Sequence, residues 1–86
     1  MLLNQESILS VINSKAHQSR VEWTARLILQ ELGIETTKSR RRSCTTLLRR
    51  LWKDGQIKRK AARRDNLEAV YCRSDVSLAE YCVPCD

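Results

Sequence analysis

The chain has one histidine, one proline and two glycines among its 86 residues. With one imidazole, no glycine-rich phosphate loop and no Ser/His/Asp or paired-carboxylate constellation, nothing in it points to catalysis. The scarcity of glycine and proline also excludes a low-complexity linker. No apolar run approaches the roughly 20 residues that span a bilayer. The N-terminus lacks the basic-then-apolar pattern of a secretion signal. A soluble cytoplasmic protein of one domain is therefore expected. Four cysteines, Cys44, Cys72, Cys82 and Cys85, are too few and too unevenly spaced to imply a disulfide scaffold, so reduced thiols are expected.

Acidic residues are also nearly missing from one stretch. Between Lys38 and Arg64 lie 12 of the 16 Lys and Arg residues and one acid, Asp54, a formal charge of +11. The rest of the chain carries −5, which leaves a net charge of +6. A uniformly basic protein would not divide in this way. The pattern suits a molecule in which one face meets a polyanion and the remainder maintains solubility. A face merely solvated would be expected to mix Asp and Glu among its cations, and this one hardly does.

Helical periodicity accounts for the first two thirds of the chain. Asn4 is a candidate N-cap for a helix from about residue 5 to residue 14, with Ile8, Leu9, Val11 and Ile12 supplying its apolar stripe. Asn13 to Gln18, His17 included, reads as a connector. Ser19 and Glu22 have the spacing of a capping box for a second helix. Its inner face would be Val21, Ala25, Ile28, Leu29 and Leu32, and Gly33 would end it. Trp23 and Leu27 fall opposite that face. They would pack against the first helix or the C-terminal tail, or form an exposed contact for a protein partner or second subunit.

A third helix, capped by Thr36 or Thr37, is expected to run to about Asp54 over Cys44, Leu47, Leu48 and Leu51. At about 100° per residue, Arg42, Thr46, Arg49 and Lys53 fall together on its far side. Ser39, Thr45 and Arg50 flank them. Trp52 sits at the border, and Gly55 stops the helix. The period then changes. Residues 56–62 and 67–73 read as two strands, with Arg63-Arg64-Asp65-Asn66 as the turn. Lys58 and Lys60 share one strand face, with Ile57 and Ala61 on the other and Arg59 pointing inward or toward the rim. Ser77 to Glu80 has a capping-box pattern that would open a single helical turn before Pro84.

Leu48-x-x-Leu51-Trp52-x-x-Gly55-x-Ile57-x-Arg59, followed by Val70-Tyr71, resembles the winged helix-turn-helix domain, and the resemblance covers most of residues 5–73. It implies an α+β fold, mainly α: three helices and a two-stranded β-hairpin wing over residues 1–75, then a short Cys-containing C-terminal tail over 76–86. It also implies that the third helix enters the major groove of double-stranded DNA. Lys58, Lys60, Arg63 and Arg64 would grip phosphates, and transcriptional regulation would be the role. The wide spacing of Gly33 and Cys44 departs from a compact helix-turn-helix, so the recognition helix begins early, near Lys38, or follows a longer turn. Arg40, Arg41 and Arg42 support the same reading independently. Cations at a helix start oppose the macrodipole, and a phosphate seated there offsets that cost.

A homodimer on two half-sites suits so small a module. Two other readings use the same basic surface: a winged-helix module that docks on an acidic protein partner or sits in a larger assembly, and an RNA-binding protein. No membrane, small-molecule ligand or cofactor is implied. Cys82-Val83-Pro84-Cys85 is a lone C-x-x-C pair. A zinc site would need Cys72 as a third ligand and His17 or Cys44 as a distant fourth, so plain thiols are the expectation.

Overall fold

The computed structural model describes residues 3–17, 19–60, 69–77 and 79–83. The first helix, α1 (Gln5–Ile12), starts at Asn4 as expected. The Asn4 side chain accepts from the Ser7 amide at 2.8 Å, and the Ser7 hydroxyl oxygen accepts from the Asn4 amide at 3.0 Å. This reciprocal cap satisfies two amides that the helix itself cannot. The helix ends at Asn13, earlier than the periodicity suggests, and a 3-10 turn at Lys15–His17 follows.

The second helix, α2 (Ala25–Glu31), corrects the expected start at Ser19. Its cap is Thr24, whose hydroxyl accepts from the Leu27 amide at 3.3 Å. Residues 21–23 are not helical, and Trp23 pairs with Tyr71. The amide of each donates to the carbonyl of the other at 2.8 Å. Two backbone hydrogen bonds and full burial of an indole (Trp23 is 0% exposed) outweigh a local capping box, whose worth is about 1 kcal/mol. Trp23 therefore belongs to the core and offers no exposed contact patch, and Leu27 is half-buried against the same core.

The third helix, α3 (Lys38–Lys53), has Thr37 as its N-cap and Asp54 as its C-cap. Gly33 and Gly55, with φ of +72° and +77°, take the left-handed conformation that follows α2 and α3. Cys44, Leu48 and Leu51 are fully buried, as the periodicity predicts, and Leu47 is half-buried. They meet Ile8, Ile12, Ile28 and Leu29 from the other two helices and Ile57 and Tyr71 from the sheet.

The sheet has three antiparallel strands, β1 (Ile57–Lys60), β2 (Tyr71–Arg73) and β3 (Tyr81–Cys82), in the order β2-β1-β3. This corrects the two-stranded hairpin. Where a helical turn was expected, the C-terminal segment returns as a strand, with Arg59 opposite Cys82 and Lys60 opposite Tyr81. The Trp52 indole N–H donates to the Cys82 carbonyl at 2.9 Å, which fastens that strand to the end of α3. The expected turn at 63–66, and with it Arg63 and Arg64, lies outside the described residues, as does Cys85. No described helix is long and apolar enough to cross a membrane.

Candidate nucleic-acid interface

Burial of Cys44, Leu48 and Leu51 determines what α3 shows to solvent. Ser39, Arg40, Arg41, Arg42, Thr45, Thr46, Arg49, Arg50 and Lys53 are all exposed. The helix contains no acidic residue, and its first turn carries none to complement the macrodipole. It is thus a cationic ridge whose amino end also presents free amide groups. Thr37 takes one of these, accepting from the Arg40 amide at 3.2 Å.

Two threonines sit among the cations. The Thr45 hydroxyl donates to the Arg41 carbonyl at 2.8 Å and the Thr46 hydroxyl to the Arg42 carbonyl at 3.1 Å. Both hydroxyl protons are used within the helix. Each side chain is left with oxygen lone pairs and a methyl group, which suit a base amino donor or a thymine methyl.

The two strand lysines are placed differently from the α3 cations. The Lys58 ammonium donates to the Val76 carbonyl. The Lys60 ammonium lies 3.5 Å from the Glu22 carboxylate and 3.9 Å from that of Glu80. Both lysines are half-buried, and the charge of Lys60 is largely answered within the chain. Glu22, expected to serve a helix cap, instead accepts a 2.6 Å hydrogen bond from the Tyr81 hydroxyl. That bond, aided by Lys60, holds the Glu22 carboxyl below its ordinary value against a smaller opposing effect of desolvation.

Arg59 was not among the expected contacts, and it sits against two aromatic rings. Its guanidinium lies 5.0 Å from the centre of the Trp52 ring and 5.9 Å from that of Tyr71. Trp52 is held by its bond to Cys82, and Tyr71 is paired on both sides, to Arg59 in β1 and to Trp23. The sequence signal was an aromatic residue at the end of a helix followed, after a glycine, by an arginine that alternates in phase with a core isoleucine, Ile57.

The described cysteines, Cys44, Cys72 and Cys82, do not converge. Cys72 lies opposite Lys58 and Cys82 opposite Arg59, neighbours in β1 whose side chains point to opposite sheet faces. Cys44 is in the core, where its thiol lies 3.8 Å from the Ala25 carbonyl. Among the described residues no group of three His, Cys, Asp or Glu side chains is placed to hold a metal.

In comparison with known proteins, the chain matches no family model, no curated protein and no solved structure.

Proposed function

We propose that this chain is a winged helix-turn-helix protein that binds double-stranded DNA in a sequence-dependent manner, with α3 as its reading element and transcriptional regulation as its role. The observation that carries this reading is the exposed face of α3. It holds Arg40, Arg41, Arg42, Arg49, Arg50 and Lys53 with two threonines and no acid. Phosphates satisfy such a face electrostatically, and base edges in the major groove offer acceptors to arginine and methyl or amino groups to threonine. The order of elements supports it too, because α3 is followed at once by the sheet that would lie beside the groove.

Selection of bound fragments from a random pool of duplex DNA tests the reading. Enrichment of one motif is the expected result. Its affinity should fall with salt, by a slope in log K against log[salt] of about −0.9 for each phosphate contacted. A pool that stays random, or binding that ignores salt, would reject it.

A further inference from the structure

Arg59 and Arg49 approach the same aromatic pair, a relation that the charge pattern does not reveal. Arg49 precedes Trp52 by one turn on α3, about 60° around the helix. The Arg59 guanidinium lies over the Trp52 ring from the sheet side, 5.0 Å from its centre. The helix and the strand thus each bring one arginine toward the Trp52–Tyr71 ring pair. The buried Tyr71 hydroxyl has no hydrogen-bond partner among the described residues. Burial pushes that hydroxyl's pKa up, while Arg59 and Arg49 are near enough to pull it down. Among the described residues no carboxylate forms an ion pair with either arginine, whereas Lys60 and Arg73 have Glu22, Glu80 and Asp75.

Two cations that both act on one ring, with no acid between them, repel, and an anion placed between them removes the repulsion. A guanidinium held over two rings still has planar outer N–H groups, which suit the paired oxygens of a phosphodiester. Its rotamers are already restricted by the rings, so less entropy is lost on binding. The geometry points to a single phosphodiester of the bound duplex seated jointly by Arg49 and Arg59, where α3 meets β1. This rests on the DNA-binding reading and changes one part of it: Arg49 holds the backbone and positions the protein, while Arg42 and Thr46 are left to read bases.

The test uses the whole chain and two labelled duplexes, the selected motif and a scrambled sequence. Arg59→Ala and Arg49→Ala should each weaken both duplexes by about tenfold, the worth of one charged hydrogen-bonding contact. Each should reduce the magnitude of the salt slope by about 0.9. The double variant should lose clearly less than the product of the two single losses, because both contacts serve one phosphate. Arg59→Lys, which keeps the charge but not the planar guanidinium, should retain the slope and fall between wild type and Arg59→Ala. Thermal melting of each variant identifies losses caused by unfolding, and Arg59→Lys then carries the measurement. Wild-type affinity and slope in both arginine variants would overturn the shared seat alone. So would losses that multiply, a loss with an unchanged slope, or an Arg49→Ala defect confined to the selected motif. A wild-type protein that binds neither duplex would overturn the DNA-binding reading and the seat with it.

Discussion

Trp23 and Tyr71 each donate a backbone hydrogen bond to the other, both at 2.8 Å, and both side chains are buried. This exchange ties the segment between the first two helices to the strand that follows the basic stretch. It also places the Trp23 ring under Arg20, whose guanidinium lies 5.2 Å from its centre. The pairing costs the chain the first turn of its expected second helix and gains a buried indole. Trp23→Ala should therefore destabilise the fold by about 3–5 kcal/mol, the range for truncating a large buried aromatic. A urea midpoint within error of wild type would mean that Trp23 does not pack in the core.

Leu48 is the centre of the α3 core face, fully buried between Cys44 and Leu51. Leu48→Ala should cost about 2–5 kcal/mol, a large part of the stability of a domain this small. Thr45→Ala, one turn away on the exposed face, should change stability by no more than about 0.5 kcal/mol. Calorimetric melting separates the two. Equal shifts would mean that the phase of the helix, and the direction in which its cations point, is wrong.

These two residues also show what was legible in the sequence. Leu48 belongs to a strict helical period, and such a period reports burial directly because a helix must turn the same side inward every three or four residues. That signal identified α3 and its exposed cations, but did not choose between Thr36 and Thr37 as the cap. Burial of Trp23 was one of the two outcomes expected, but a local capping pattern at Ser19 and Glu22 put it on the second helix, and its pairing with Tyr71, a partner distant in sequence, carries no local signal. The return of Tyr81–Cys82 to the sheet was hidden for the same reason: two residues carry no period, and what holds them, pairing with β1, the Trp52 indole and Glu22, is distant in sequence. The seat at Arg59 depends on both of these non-local contacts, so only the fold reveals it.

The hydrogen bond from Tyr81 to Glu22 has a pH signature. Glu22 titrates below its ordinary 4.5 in the folded chain, so its contribution is present above that value and is lost as pH falls through the lower, folded one. Tyr81 is raised above its ordinary 10.0 by burial and by the carboxylate, so its contribution is present below that value and lost as pH rises through the folded one. Tyr81→Phe should cost about 0.5 kcal/mol near neutral pH, the low end for a hydrogen bond because Glu22 faces solvent. Urea titrations should show this gap between wild type and variant closing as pH is lowered well below 4.5. A gap of the same size in acid would show that the phenol stabilises only by packing.

The thiols should react in order of burial. Cys44 is pushed up to about 12 and Cys72 to about 11, both by desolvation, so neither offers thiolate at neutral pH. Cys82 is exposed. Brief alkylation of the native protein, followed by peptide mass spectrometry, should mark Cys82 and leave Cys44 and Cys72 unmodified until denaturant is added. Early labelling of Cys72 would indicate that the sheet face beneath Lys58 opens readily.

Stability and binding should move in opposite directions at the start of α3. Arg40 stands in the first turn, where a cation faces the positive end of the helix dipole at a cost of about 0.3–1 kcal/mol. Its backbone amide is already satisfied by Thr37, so its side chain can be removed without disturbing the cap. Arg40→Ala should raise the melting temperature slightly and weaken duplex binding, since it removes both the repulsion and the charge that a phosphate would answer. Lys60→Ala should behave differently. Its ammonium is engaged by Glu22 and Glu80, so losing it should change DNA affinity little and lower stability slightly. Arg42→Ala, further along the same face, should cost about 1–3 kcal/mol on the selected motif and less on a scrambled one. Paired melting and binding measurements on the three variants decide the matter. If neither Arg40→Ala nor Arg42→Ala weakens binding, the cations of α3 are not the ones directed at DNA, and if Lys60→Ala weakens it as much as Arg42→Ala does, β1 meets the duplex as well.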